Sequence, residues 1–298
     1  MKHLLKTACV LVILSVSSIV FADEEANTPP SWQKTDWTPV FHGVDTATGQ
    51  TDVPRLMRVY AVRVDMKADG IEFLSTPRAE DGFDFNEKET IRETVPQFLE
   101  NHHLQAAFNA NFYSPFSALT MRTPGPSNLK GLAVSQGQIV SKNEKGCPVF
   151  LVFKGNRVEI ADVREDDIDP PDEVETAVAG NRILVDQGVV VRQTNQDVHP
   201  RTAVGISQDL RYVYFIVIDG RQPGYSEGAS YNETGQWLVL FGAWSGINLD
   251  GGGSSTMAIR STEGRAKVLN TPSGQDNNPN NYRHNGNSIG VRAKSLAP

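Results

Sequence analysis

The stretch from 211 to 253, "RYVYFIVIDGRQPGYSEGASYNETGQWLVLFGAWSGINLDGGG", constrains the fold more than any other part of the chain. Its first ten residues are nearly continuous in β-branched and aromatic side chains, the pattern of a central strand buried on both faces. Ser230 with Glu233 three residues on forms a capping box for a helix whose apolar face is Trp237, Leu238 and Phe241. A short apolar run then ends at Asp250. Strand, helix, strand is the unit that gives parallel pairing, so the expectation is a mixed sheet in an α+β domain. Asp219 and Asp250 would then close two buried strands at one sheet edge, where open sheets bind ligands.

Elsewhere the pattern is of hairpins. "GLAVSQGQIVS", "FLVFKGNRVEIADV" and "NRILVDQGVVV" are apolar strands broken at Gln-Gly and Gly-Asn turns. "RLMRVYAVRVD" alternates as a half-buried strand does, and "TVPQFLENHH" predicts a short helix capped by Thr94 and Gln97. His102 and His103 close that helix and show no partner cluster for a metal. "REDDIDPPDE" is acidic but lacks the spacing of a calcium loop, and reads as a solvated connection.

The chain starts with a basic stub, an apolar run and small residues at Val20 and Ala22, which predicts a signal peptide over residues 1–22. The apolar run is shorter than the roughly 20 residues of a bilayer span. Residues 23–55 read as an extended N-terminal segment with a Trp32/Trp37 pair, and 56–298 as one domain. The expected location is secreted or periplasmic, with no membrane span after cleavage. Of two cysteines, Cys9 falls in the leader, so Cys147 is left as a lone thiol and reads as a small buried or loop residue. Without Lys2 and Lys6, 26 basic residues face 35 acidic ones, a sign that argues against nucleic-acid binding. An anion would have to be bound locally.

Four clusters suit such a task. Gly251, Gly252 and Gly253 after Asp250 can turn their amides toward an anion, and Ser254, Ser255 and Thr256 add hydroxyls. Arg221 follows Asp219. "DVHPRTAVGIS" sets His199 and Arg201 just before a strand, an acid/base group beside a planar phosphate-binding fork. "AAFNANFYS" brings Asn109 and Asn111 beside Phe112 and Tyr113, amides next to stacking rings as in sugar sites, although buried asparagines more often satisfy turn amides. "GYSEG" also fits the nucleophile-elbow pattern around Ser226, but "GRQP" separates it from the strand that an elbow requires.

Taken together, "HPRTAVGI", "IDGRQPGYSEGAS", "NLDGGGSSTM" and, in the same order along 95–291, "AAFNANFY", "KGLAVSQGQIV", "AVAGNRILVDQGVVV" and "YRHNGNSIGV" resemble the phosphodiester glycosidase family. The family reads Asn-Gly-Gly where this chain has Asn109, Ala110, Asn111. The resemblance implies a domain built on a large sheet and cleavage of a glycosyl phosphodiester in a glycan or glycoconjugate. Such a leaving group is weakly basic, so its departure calls for charge neutralisation, here from Arg201, Arg221 and the glycine amides. The oxocarbenium-like carbon needs a carboxylate, Asp250 first, Asp219 second and Glu227 third, while His199 orients phosphate or acid. A divalent cation on Asp219, Asp250 and the asparagines stays open, since their spacing is typical of none. Two rival readings are a non-catalytic carbohydrate-binding or exopolysaccharide accessory protein and a Ser226-dependent hydrolase.

Overall fold

The computed structural model describes residues 31–166, 169–273 and 281–296. The expected signal peptide and two residues of the acidic loop lie outside them. Among the described residues no helix is long and apolar enough to cross a membrane.

The strand-forming stretches assemble into a nine-stranded sheet, two five-stranded sheets and one of three strands. Among the described residues every strand pair is antiparallel and there are two α-helices, α1 at Val95–Asn101 and α2 at Tyr231–Phe241. The fold is therefore mostly β, and the expected mixed sheet is corrected. The reason is topological. Strands Tyr212–Ile218 and Ser245–Asn248 run the same way, as a strand-helix-strand crossover demands, but Arg201–Ile206 lies between them and is antiparallel to both.

Their shared direction still brings the ends of both strands to one sheet edge, and the intervening strand begins at that edge, with Arg201 opposite Ile218. Asp219, Asp250 and Arg201 are gathered there by the register of three strands.

The long apolar run is buried on both faces. Tyr214, Ile216 and Ile218 pack toward α2, against Trp237, Leu238 and Phe241. Val213, Phe215 and Val217 face the opposite core. There Phe215 stacks on Phe108 of the strand Ala106–Asn109 at 4.1 Å and meets Phe150 of the strand Val149–Phe153 edge-on at 6.1 Å. These three rings come from three different sheets and lock them together. Helix α1 covers the far side of the sheet containing Phe108, burying Val95, Phe98 and Leu99.

Both expected capping boxes are formed. Thr94 and Gln97 close α1, and Ser230 and Glu233 close α2, where Glu233 also holds Arg55 at 2.6 Å. The Gln136-Gly137 and Gln187-Gly188 turns have positive φ at both residues, the geometry that two-residue hairpins prefer.

Residues 31–55 differ from the extended segment expected. They form strands Gln33–Lys34, Thr38–Phe41 and Val44–Thr51, the last paired along its length with Met57–Asp65, so they belong to the large sheet. Trp32 stacks on Trp237 at 4.4 Å and explains the anchorage. Cys147 is buried in the core of the sheet that holds Phe150.

Phe215→Ala empties the junction of three sheets and is expected to cost about 3–5 kcal/mol of unfolding free energy, measured by chemical denaturation.

Candidate active site

At the shared sheet edge lies a cleft of about 440 Å³ lined by His199, Arg201, Arg221, Asp250, Arg283 and the ring of Tyr231, with Phe112, Tyr113 and Phe116 on its rim and Asn248, Gly251 and Gly252 at its base. One carboxylate thus faces three guanidinium groups, so the cleft carries a net positive charge inside an acidic protein.

Each cation is held by its packing. Arg201 is buried, donates from Nε to the Ala229 carbonyl at 2.9 Å and from Nη2 to the Asp197 carbonyl at 2.7 Å, and lies 4.0 Å over Tyr231. Arg221 stands in a left-handed turn, φ 60°, and approaches His199 Nδ1 at 3.4 Å. Burial and the charges of Arg201 and Arg221 hold His199 below its ordinary pKa, so it is neutral near pH 7. Arg283 reaches Ser254 Oγ at 3.3 Å, and its Nε has no partner among the described residues.

Asp250 lies in the middle. Burial pushes its pKa up to about 6 against the opposing pull of the Ser254 hydroxyl, the charge of Arg283 and the Gly251 amide, which donates to Oδ1 at 2.8 Å. Its backbone is fixed by the Ala110 carbonyl, which accepts from Asp250 N–H at 2.8 Å, and by Asn109, which donates to its carbonyl at 2.6 Å.

Two amides of the glycine triplet are already engaged within the protein. Gly251 N–H is taken by Asp250 and Gly252 N–H by the Pro200 carbonyl at 2.9 Å. What the glycines provide is room. A Cβ on Gly252 would stand 3.2 Å from both terminal nitrogens of Arg221, and one on Gly253 only 2.4 Å from Arg283 Nη2. Side-chain-free backbone lets two like charges crowd one loop.

His199, Arg201, Arg221, Asp250, Gly251 and Gly252 thus share the cleft. Several expected residues do not line it. Asp219 is 1% exposed and already accepts from Asn270 at 2.8 Å, from Thr271 N–H at 2.9 Å and from the Tyr225 hydroxyl at 3.3 Å. Burial raises its pKa to about 6 as well. Glu227 is exposed in a loop outside the cleft. Asn109 accepts from Thr202 Oγ1 and Thr256 N–H, and Asn111 bridges Lys130, Leu132, Ala179 and Asn287, so both amides hold backbone and neither faces a sugar. Gly253, Ser254 and Ser255 lie buried beneath the cleft.

Ser226 is fully buried, donating to the Asp219 carbonyl at 2.7 Å and accepting from Arg58 N–H at 3.0 Å. A hydroxyl so occupied and closed off from solvent offers no nucleophile, which removes the nucleophile-elbow reading.

Phe112 and Tyr113, read from the sequence as stacking rings, line the cleft, whereas Arg283, Tyr231 and Phe116 carried no such reading. Arg283 lies in the quoted "YRHNGNSIGV" but follows an Asn- and Pro-rich loop with no periodicity to place it, and Tyr231 was hidden behind the cap role of Ser230. Among the described residues no group of three His, Cys, Asp or Glu side chains could hold a metal.

A family model for phosphodiester glycosidases matches residues 102–292, which is most of the described chain and carries every cleft residue named above. The chain belongs to the phosphodiester glycosidase family. Among solved structures, the fold is similar to the zebrafish N-acetylglucosamine-1-phosphodiester alpha-N-acetylglucosaminidase catalytic domain auto-inhibited by its pro-peptide, with TM-score 0.60 and 17% identity over 91% of this chain and 86% of that one. A Burkholderia pseudomallei protein described as exported matches with TM-score 0.56 and 15% identity over 80% of this chain and 74% of that one. A Synechocystis protein has TM-score 0.56 and 14% identity over 87% of this chain and 64% of that one. A comparison with curated protein sequences finds no match.

The raised pKa of Asp250 fixes the sign of a stability effect. Folding favours the protonated acid, so this contribution is complete below the ordinary value of 3.8 and is lost as pH rises through about 6. Asp250→Asn, which cannot ionise, is expected to gain in thermal midpoint relative to the parent protein at pH 7.5, and the gain should shrink at pH 4.

Proposed function

We propose that this chain is an exported hydrolase that cleaves a sugar-1-phosphodiester. The observation that carries the proposal is the meeting of Asp250 with Arg201, Arg221 and Arg283 in one cleft. Export rests on the leader-like first 22 residues and gains support from the likeness to an exported protein.

In the reaction the bond between the anomeric carbon and its oxygen breaks, and that oxygen leaves with the phosphate as a monoester. Water supplies hydroxyl to the sugar and a proton to the departing phosphate or the medium. Positive charge develops at the anomeric carbon and negative charge on phosphate, so the cleft must present a carboxylate to one and cations to the other. Asp250 takes the first role, as nucleophile or as base for water. Arg221 and Arg283 take the second, with Arg201 and the neutral imidazole of His199 completing the phosphate's hydrogen bonds. Preorganisation matters because Arg201 and Arg283 are already buried and need little rearrangement as charge grows.

Asp219 acts at one remove. It holds Asn270, which in turn donates to the Ser255 carbonyl at 3.0 Å and accepts from Met257 N–H at 2.9 Å, so it braces the loop beneath Asp250.

Release of free sugar from α-N-acetylglucosamine 1-phosphate diesters tests the reading. Asp250→Asn should lower kcat by at least about 100-fold while still binding the diester. Binding without turnover in the parent protein would favour the accessory-protein reading. Because Asp250 must be ionised, kcat/KM should fall as pH drops through about 6. An activity flat from pH 7 to 5 would remove Asp250 from the chemistry.

A further inference from the structure

Ser254 lies beneath the cleft and is shut off from solvent. It closes the short 3₁₀ turn Gly252–Ser254, where its N–H donates to the Gly251 carbonyl at 3.2 Å. A buried hydroxyl is destabilising unless it is bonded.

Its partners are three groups that line the cleft. Arg283 Nη1 donates to Ser254 Oγ at 3.3 Å, and the same hydroxyl is a hydrogen-bonding neighbour of the Asp250 carboxylate and of the Tyr113 hydroxyl. Tyr113 in turn donates its own proton to the His284 carbonyl at 2.8 Å.

Donor and acceptor chemistry fixes the direction of each bond. A guanidinium has donors only, so Ser254 Oγ accepts from Arg283. The Tyr113 proton is engaged at His284, which leaves the phenol oxygen facing Ser254 as an acceptor. An ionised carboxylate also only accepts. One serine proton therefore has two rival acceptors, and the charged one makes the stronger bond. While Asp250 is ionised, the proton is held there; once that charge is neutralised, Tyr113 receives it instead.

The other charged groups around Asp250 stay as they are when this proton moves. Arg283 and Arg221 face the carboxylate, Arg92 acts on Tyr113, and His199 and Arg201 line the same cleft. Asp219 reaches the loop only through Asn270.

We infer that Ser254 is a positioning residue of the proposed hydrolysis: its one proton holds the Asp250 carboxylate in its ionised, oriented form and passes to Tyr113 as that charge is consumed. This rests on the role given to Asp250 above and adds the group that keeps it ready.

The titration of Asp250 in the full chain, without substrate, is the test. Its carboxyl carbon is followed by carbon-13 NMR from pH 4 to 8, the signal being identified by its loss in Asp250→Asn. Ser254→Ala takes a donor from the charged form and should raise the midpoint by about one pH unit. Ser254→Thr, which keeps a hydroxyl, should return it toward the parent value. Tyr113→Phe removes the rival acceptor and should lower the midpoint. With a cleavable glycosyl phosphodiester, the acid limb of kcat/KM should move in the same two directions. A serine that serves only the packing of its turn would lower the thermal midpoint of Ser254→Ala and leave the titration unmoved, which overturns the inference. A midpoint that stays or rises in Tyr113→Phe also overturns it, and this variant decides alone if Ser254→Ala does not fold. Both shifts in a parent protein that releases no sugar support the placement of the proton and remove the hydrolysis.

Discussion

The geometry of the cleft depends on one buried amide. Asn109 ends a strand of one five-stranded sheet, donates to the Asp250 carbonyl and accepts from Thr202 of the nine-stranded sheet and from Thr256 beyond the glycine loop. Two sheets and the loop between them thus share one side chain with every polar atom used. In a dry interior such a group fixes position strongly, since any displacement leaves an unpaired donor or acceptor. Asp250 owes its place to this clamp and to the Ala110 carbonyl, while the phenylalanine junction of Phe108, Phe150 and Phe215 keeps the sheets at the required separation.

That rigidity bears on electrostatics. Three guanidinium groups around one carboxylate would repel one another and hold different positions in open water. Here Arg201 is tied to two carbonyls and a tyrosine ring, and Arg221 and Arg283 are spaced by a loop of glycines. The single carboxylate of Asp250 offsets that repulsion only in part, and an anion would offset more of it, even in a chain with excess acid overall.

Much of this was legible in the sequence, because it followed from local patterns. The hairpin turns, the two capping boxes and the buried run at 212–218 all obey short-range rules. The placing of Asp219 and Asp250 at one edge followed from strand direction, whereas Arg201 joins them only because the strand Arg201–Ile206 intervenes, which also abolishes parallel pairing. What could not be read was which polar side chains are already engaged. Asn109, Asn111, Asp219 and Ser226 are as polar in sequence as Arg283, and only distant partners show that the first four serve the frame. Arg283 reaches the cleft from the end of the chain, through a segment without periodicity. The glycine triplet draws notice in the sequence for its conformational freedom, but spacing alone does not say whether freedom serves amides or makes room for neighbours.

The most direct measurement is a crystal structure with a non-hydrolysable sugar 1-phosphonate ester bound. The account predicts phosphonate oxygens bonded to Arg221 and Arg283, with the anomeric carbon facing the Asp250 carboxylate. A ligand seated elsewhere, or an Asp250 side chain turned from the anomeric carbon while the phosphonate sits among the arginines, would contradict it.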